Sequence, residues 1–332
     1  MNASVPIALI NALTIDVEDY FQVSAFDGHV RRDAWEKMPS RIERNVDLLL
    51  QLLDEKRSRA TFFTLGWLAE RHPALIRRIV GQGHELASHG YGHRRASELD
   101  HTAFSHDIGH AKKLLEDIAG LEVIGYRAPS FSIGKGNLWA FDCIAAAGYR
   151  YSSSVYPVQH DHYGMPDAPR FPYRARAGLL EIPVTTTRLF GRNLPAGGGG
   201  YFRLAPYNVS RWAIARVNRQ EQRPAIFYFH PWEIDPEQPR IPDIDGKTRF
   251  RHYLNLHRTE RRLRQLLRDF LWGRIDEAFA IDVEPVVEDW SSQADAGPAT
   301  VGPFAPVELF AEEARPTSGP LGKVVGPVGA RR

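Results

Sequence analysis

One cysteine, Cys143, stands in a chain of 332 residues. A lone thiol excludes an internal disulfide framework and any metal site built from several cysteines. Its setting in "LWAFDCIAAAG" reads as an inert core position. Net charge is nearly absent too: 42 Lys and Arg against 40 Asp and Glu leave +2, which carries no electrostatic footprint of nucleic-acid binding. Long apolar runs are also missing, since none reaches the roughly 18 consecutive residues that a membrane-spanning helix needs. The opening "MNASVPIALINALTID" has no Lys or Arg before its apolar run and passes directly into acidic residues. It therefore reads as a first strand and not as a secretory signal. The expectation is a soluble, cytoplasmic protein without a nucleic-acid partner or a transmembrane segment.

What the chain does have is alternation. Hydrophobic residues make up 43%, enough for a sizeable core. After the first strand, Ile42, Val46, Leu49, Leu50 and Leu53 recur at helical spacing, and "ATFFTLG" reads as a buried strand. Leu75, Ile76, Ile79 and Val80 mark a helix stopped by Gly81 and Gly83, and strand-like "HELASHG" follows. Further along come a helix over 102–119, the strand "EVIGYRAP", a helix over 138–147 and the strand "YRYSSSV". "LLEIPVT", a helix near 210–218 and the strand "AIFYFHPWE" complete the pattern. Such β/α alternation predicts an α/β protein with a parallel sheet, open or closed into a barrel, whose chemistry gathers at the carboxyl ends of the strands. From about residue 291 the chain turns rich in Pro, Gly and Ala, so 291–332 is expected to be a disordered tail outside a domain of residues 1–290.

Chemistry-bearing groups recur at those strand ends. "LTIDVEDYFQ" places Asp16, Glu18 and Asp19 where the first strand stops; "SHGYGH" places His89 and His93 after the third. Arg127 follows in "YRAP" and His230 in "FYFHPWE". Three carboxylates after an edge strand are also what a solvated turn looks like, but carboxylates at a buried strand end need a partner or a metal. A second His-x-x-x-His pair, His106 and His110, provides an internal contrast. It falls on the helix face opposite Phe104, Ile108, Ala111, Leu115 and Ile118, where solvent is the simpler explanation. His89 and His93 instead flank Gly90 and Gly92, which allow a tight loop directly after a strand. Two imidazoles, one carboxylate and an open position are a catalytic divalent-metal arrangement, most often of zinc.

With these motifs the chain resembles the polysaccharide deacetylases of carbohydrate esterase family 4, the NodB-homology domain. "LTIDVEDYFQVSAF", "SHGYGH", "GYRAPSFSIG", "YSSSVYP", "NLPAGGGGYFRLAPY" and "FRHYLNLHRTE" look like the subfamily found with exosortase-linked exopolysaccharide loci. The resemblance, over roughly residues 8 to 285, implies a distorted (β/α) barrel of about seven parallel strands. It implies metal-dependent removal of acetyl groups from N-acetylated sugars of a polysaccharide or its lipid-linked precursor, and weak association with a membrane-bound assembly system. Residue by residue, it implies Asp16 as catalytic base, Arg127 as its holder, His230 as general acid, and His89 and His93 as metal ligands, with zinc the first choice of divalent ion. Many relatives carry adjacent aspartates, whereas this chain reads Asp-Val-Glu-Asp. Period-two alternation puts Glu18 on the face of Asp16, so Glu18 is preferred as third ligand and Asp19 is the alternative. A backbone N–H near Ser130 is the expected oxyanion donor.

One position departs from the resemblance. Relatives usually carry Asp where this chain has Ser152, and that carboxylate supports the acid histidine, so His230 is expected to hold its proton less well here. A catalytically silent saccharide-binding relative is therefore one alternative reading, and an amidohydrolase of a small non-sugar amide is another. Tyr201, Phe202 and Trp232 are candidate sugar-stacking aromatics or core residues alike. The Gly197–Gly200 run lacks the following Lys-Ser or Lys-Thr of a P-loop and reads either as a flexible loop or as a close backbone approach to a sugar, with slight preference for the second. The basic stretch Arg249 to Arg268 reads as a solvated face or a contact for an anionic polymer or membrane.

Overall fold

A computed structural model describes residues 9–160, 164–281 and 287–292. The expected tail, 291–332, lies outside these except for Ser291 and Ser292. The strands in chain order are β1 Ile10–Val17, β2 Thr61–Thr64, β3 Glu85–Ser88, β4 Gly125–Tyr126, β5 Tyr151–Ser152, β6 Tyr173–Arg174, β7 Leu180–Glu181, β8 Thr186–Leu189, β9 Arg192–Pro195, β10 Ile226–Phe229, β11 Leu271–Gly273 and β12 Glu288–Asp289. The helices are α1 Ile42–Glu55, α2 Gly66–Arg71, α3 Pro73–Gly81, α4 His101–Ala119, α5 Ala140–Ala146, α6 Gly200–Leu204, α7 Tyr207–Gln220, α8 Gly246–Tyr253, α9 Leu256–Asp269 and α10 Ile275–Ala278.

The order β10-β1-β2-β3-β4-β5-β7 is parallel throughout, the seven-stranded arrangement of a distorted barrel. β6 runs antiparallel to β7, and β12 extends that edge. The first half of β1 also pairs with β11. Irregular chain spans the gap between β7 and β10: the Ile226 N–H donates to Thr185 Oγ1 at 2.6 Å and the Tyr228 N–H to Gly197 O at 2.6 Å.

Alternation along the strands separates two cores. Leu13, Ile15 and Val17 of β1, Phe62 of β2 and Leu86 of β3 pack outward against α1, α3 and α4. Ala12, Phe63, Ala87, Tyr151 and Ile226 pack inward with Ile275 of α10. Asp16 is therefore an inward position of β1, in phase with Ala12 and Thr14. The outer helices have local reasons to start and stop. Asp100 caps α4 by accepting from the Ala103 N–H at 2.8 Å, and Gly120 ends it in the left-handed conformation at φ 68°. Among the described residues no helix is long and apolar enough to cross a membrane.

Within the Gly197–Gly200 run, Gly197, Gly198 and Gly199 pack closely against the chain around β10, while Gly200 has open space. Gly198 pairs with Tyr228 as a parallel bridge, and a Cβ on it would sit 2.0 Å from Tyr228 O.

Candidate active site

A cleft of about 360 Å³ opens at the carboxyl ends of the parallel strands, with Asp16, Glu18, His89, His93 and His230 in its walls. Arg127 is wholly buried beneath it.

Asp16 is held from one side. Arg127 Nη1 donates to Asp16 Oδ1 at 2.7 Å and to Thr14 Oγ1 at 2.8 Å. The guanidinium is fixed in turn by Ser153, through O at 3.0 Å and Oγ at 2.9 Å, and lies over the Phe63 ring. A buried ion pair of this kind needs hydrogen-bond partners, and here each of the three guanidinium nitrogens has at least one. Asp16 Oδ2 is left facing the cleft, 3.9 Å from His230 Nε2.

Glu18, His89 and His93 offer ligand atoms that all lie within 4.8 Å of one another, and all three side chains are buried. Glu18 Oε2 is 2.7 Å from His93 Nε2 yet has no geometrically acceptable hydrogen-bond partner, and His93 Nδ1 has none either. Burial alone would raise the Glu18 pKa, but His93, His230 and His89 bring it down to about 2. Burial pushes the His89 ring down to about 4, so it is neutral at pH 7. Its Nδ1 lies 2.8 Å from Arg127 O, which leaves Nε2 for a ligand, the usual outer-sphere support of a metal-binding histidine. An anionic carboxylate with an orphaned oxygen beside a neutral imidazole suits a divalent cation. The loop that carries these histidines is tight. Gly90 adopts φ +74°, and a Cβ there would meet Asp107 Oδ2 at 2.7 Å, the atom that receives the Tyr91 N–H. His106 and His110 stay on α4 and do not line the cleft.

Asp19 is turned elsewhere, which corrects its standing as the alternative ligand. Its Oδ2 accepts from Ser40 Oγ and the Arg41 N–H, each at 2.8 Å, and ties the end of β1 to the start of α1. Its pKa is raised by burial.

On the opposite wall, His230 Nδ1 lies 2.7 Å from Glu233 Oε1, and the same oxygen accepts the His230 N–H at 3.0 Å. Glu233 Oε2 accepts from Arg203 Nε at 2.7 Å. Burial would lower the His230 pKa, but Glu18, Glu233 and Asp16 raise it to about 9. The expectation of a histidine weakened by Ser152 is thus overturned: Ser152 Oγ bonds Ser154 Oγ at 2.8 Å, and the carboxylate at the ring comes from Glu233. Sequence reasoning misses Glu233 because "AIFYFHPWE" reads as one strand. The strand ends at Phe229, and a short 3-10 turn started by Pro231 folds Glu233 back onto His230.

Of the aromatic candidates, Trp232 lines the cleft but is only 5% exposed, stacked on His252 at 4.2 Å and on His230 at 5.2 Å. Phe202 is core, packed on Phe227, and Tyr201 does not line the cleft. Ser130 does line it, at φ 55°, with its hydroxyl 2.5 Å from Ser24 Oγ. From the basic stretch, Arg251 and His252 reach the cleft wall, with Thr248 beside them.

Residues 33–151 match the family described as polysaccharide deacetylase, and residues 153–280 match one described as a domain of unknown function (DUF3473). A peptidoglycan-N-acetylglucosamine deacetylase of Bacillus cereus is 31% identical over 102 residues, 31% of this chain and 46% of that protein. A chitooligosaccharide deacetylase of Sinorhizobium fredii is 51% identical over 45 residues, 14% of this chain and 21% of its own length. The chain thus spans less than half the length of the curated relatives it matches first. A Mycobacterium smegmatis crystal structure assigned as a polysaccharide deacetylase shares the fold at a TM-score of 0.54 and 20% identity, covering 91% of this chain and 98% of that one. Over residues 33–151 the chain is thus similar to the polysaccharide deacetylase family, and it shares the fold of the Mycobacterium smegmatis structure.

Proposed function

We propose that the protein is a metal-dependent N-deacetylase that removes acetyl groups from N-acetylated saccharides and releases acetate. One observation carries this reading. A carboxylate braced by a buried arginine, a Glu–His–His cluster and a carboxylate-backed histidine face one another across a single cleft. Glu18, His89 and His93 would hold the divalent ion, zinc first among candidates, which when bound polarises the acetamide carbonyl and acidifies water.

The remaining work falls to this chain's own side chains. Arg127 fixes Asp16 through Oδ1, so Oδ2 is the oxygen that accepts the proton of the attacking water. The water oxygen bonds to the acetamide carbon, and the C–N bond breaks. An amine is expelled from an amide only after its nitrogen gains a proton, which His230 Nε2 supplies from the other wall. Acetate and a free sugar amine leave. A backbone N–H near Ser130 is the proposed second donor to the oxyanion. We place the natural substrate among exopolysaccharides or their lipid-linked precursors on the motif resemblance. The silent, saccharide-binding alternative rests on Ser152 alone, and the carboxylate of Glu233 removes that motive.

The test is acetate release from chitotetraose by metal-loaded protein, with chelator and with zinc restored. Release that stops with chelator and returns with zinc is expected. His89→Ala should lose both activity and stoichiometric zinc binding, while His106→Ala/His110→Ala keeps both. No release by the loaded protein, or release indifferent to chelator, sinks the reading; turnover of simple acetanilides alone would favour a small-amide hydrolase.

A further inference from the structure

We infer that Glu233, anchored by Arg203, is the positioning residue of the proposed acid, and that the block of unknown function over 153–280 thereby supplies the proton-donating half of the cleft. This rests on the deacetylase reading for its consequence in turnover, but not for its geometry.

Glu233 is 1% exposed and makes three bonds that leave it no freedom. Oε1 takes the His230 N–H and faces Nδ1; Oε2 takes Arg203 Nε. Arg203, itself buried, donates Nη1 to His252 O at 2.6 Å and to Leu254 O at 3.2 Å. Its own carbonyl receives Arg262 Nη1 at 2.9 Å and Asn255 Nδ2 at 2.9 Å. A carboxylate facing a cation on one side and an imidazole on the other is an acceptor at both oxygens. The His230 proton on that side is therefore carried by Nδ1 and donated to Glu233, and Nε2 is the nitrogen turned to the cleft. Which ring nitrogen bears the proton is set by the bond the other makes. No other described element offers Nδ1 a carboxylate: the remaining acids near this ring, Asp16 and Glu18, lie on the Nε2 side at 3.9 and 3.3 Å. His230, Glu233 and Arg203 all fall within 153–280, and so do the α8 and α9 residues that hold Arg203. The block is thus a structural half of the active site rather than an appendage to it.

Arg203 makes the substitution Glu233→Gln informative. An amide has one oxygen where the carboxylate used two, so it cannot serve both Arg203 Nε and the His230 N–H. With its carbonyl on Arg203 it sets NH₂ against Nδ1 and drives the ring proton to Nε2; with its carbonyl on His230 it keeps the Nδ1 bond but without the charge that supports a protonated ring. Glu233→Asp keeps the charge for Arg203, and with it the fold, but draws the carboxylate back from Nδ1.

Two substrates separate positioning from general damage. Chitotetraose needs its leaving nitrogen protonated; para-nitrophenyl acetate has a leaving group that departs without a proton. In both variants kcat on chitotetraose should fall by about 10²-fold, within the usual range for lost acid catalysis, with KM little changed. Turnover of para-nitrophenyl acetate should change by less than about threefold, the pattern also expected of His230→Ala. Equal loss on both substrates, at unchanged melting temperature, would reduce Glu233 to a structural role, and full retention on chitotetraose would remove it from the site. A second readout stands apart from turnover. In ¹⁵N-histidine-labelled protein the Nδ1–H signal of His230, identified by its loss in His230→Ala, should be present in the parent and either lost or moved upfield in Glu233→Gln, where the charged acceptor is gone. If parent protein deacetylates nothing, the signal still decides the positioning claim, and its survival at an unchanged shift in Glu233→Gln overturns it.

Discussion

Ser152 and Glu233 show how a side-chain role can move without leaving a mark in residue-by-residue reading. Ser152 is fully buried on β5, where its hydroxyl donates to Ser154 Oγ close to Glu181. An aspartate there would place a second carboxylate beside Glu181, whose nearby cation, Arg127, is already paired with Asp16, in surroundings where burial pushes the Glu181 pKa up to about 7. Ser152→Asp is therefore expected to lower stability by about 3 kcal/mol, the size of a buried unpaired charge. Because Nδ1 of His230 is already taken by Glu233, the basic limb of the pH–rate curve should stay where it is in the parent. Thermal melting and a pH–rate profile check the two halves, and an upward shift of the limb would mean that position 152 reaches the ring after all. Glu18 and Asp19 are told apart by the structure and not by strand alternation, because β1 ends at Val17 before either residue. Glu18 turns to His89 and His93, and Asp19 turns back to the start of α1.

At the scale of elements, periodicity is the dependable signal and strand length the poor one. The helices expected over 102–119 and 138–147 appear as His101–Ala119 and Ala140–Ala146, because an amphipathic face fixes a helix over many residues. "EVIGYRAP" and "YRYSSSV" each contribute only a two-residue strand, since apolar runs do not say where pairing stops. The same limit hides the turn after Phe229 and with it Glu233. Nor does a glycine run say what approaches it. Gly198 sits at φ +110° with the Tyr228 backbone where a side chain would go, a contact that helps span the gap between β7 and β10. Gly198→Ala should force that chain off β10 and cost about 3 kcal/mol from strain and overpacking together. A Gly200→Ala control, whose added methyl would have nothing within 4 Å, should cost far less in the same denaturant titration.

Across the whole molecule the seven parallel strands gather groups far apart in sequence, and their buried carboxylates tie stability to pH. Glu181 sits at the carboxyl end of β7, where its Oε1 accepts the Ser154 and Val155 N–H groups at 2.9 and 2.8 Å. This orders the turn whose Ser153 grips Arg127, and so Asp16. Its Oε2 is buried without a partner, and burial raises its pKa from 4.5 to about 7 despite the help of Ser152, Val155 and Ser154. The sign follows from proton counting. Between pH 4.5 and 7 the folded protein keeps a proton on Glu181 that the unfolded chain has lost, so folding stability falls as pH rises through that window and is level above it. Buried His84, lowered to about 4 by burial and by Arg59 and Arg274, acts the other way, because its unfolded form binds the extra proton between pH 4 and 6.5. These two slopes oppose one another in the parent between about pH 4.5 and 6.5. Glu181→Gln keeps a carbonyl for the two backbone donors and puts an amide where the orphaned oxygen lies, while removing one titration. The variant should therefore gain stability relative to the parent as pH rises from 5 to 8, by about 2 to 3 kcal/mol for a shift of this size. Urea titrations of both proteins at those two pH values measure the difference directly. A gap that does not widen with pH would mean that Glu181 is ionised in the folded protein, its charge carried by the turn it holds.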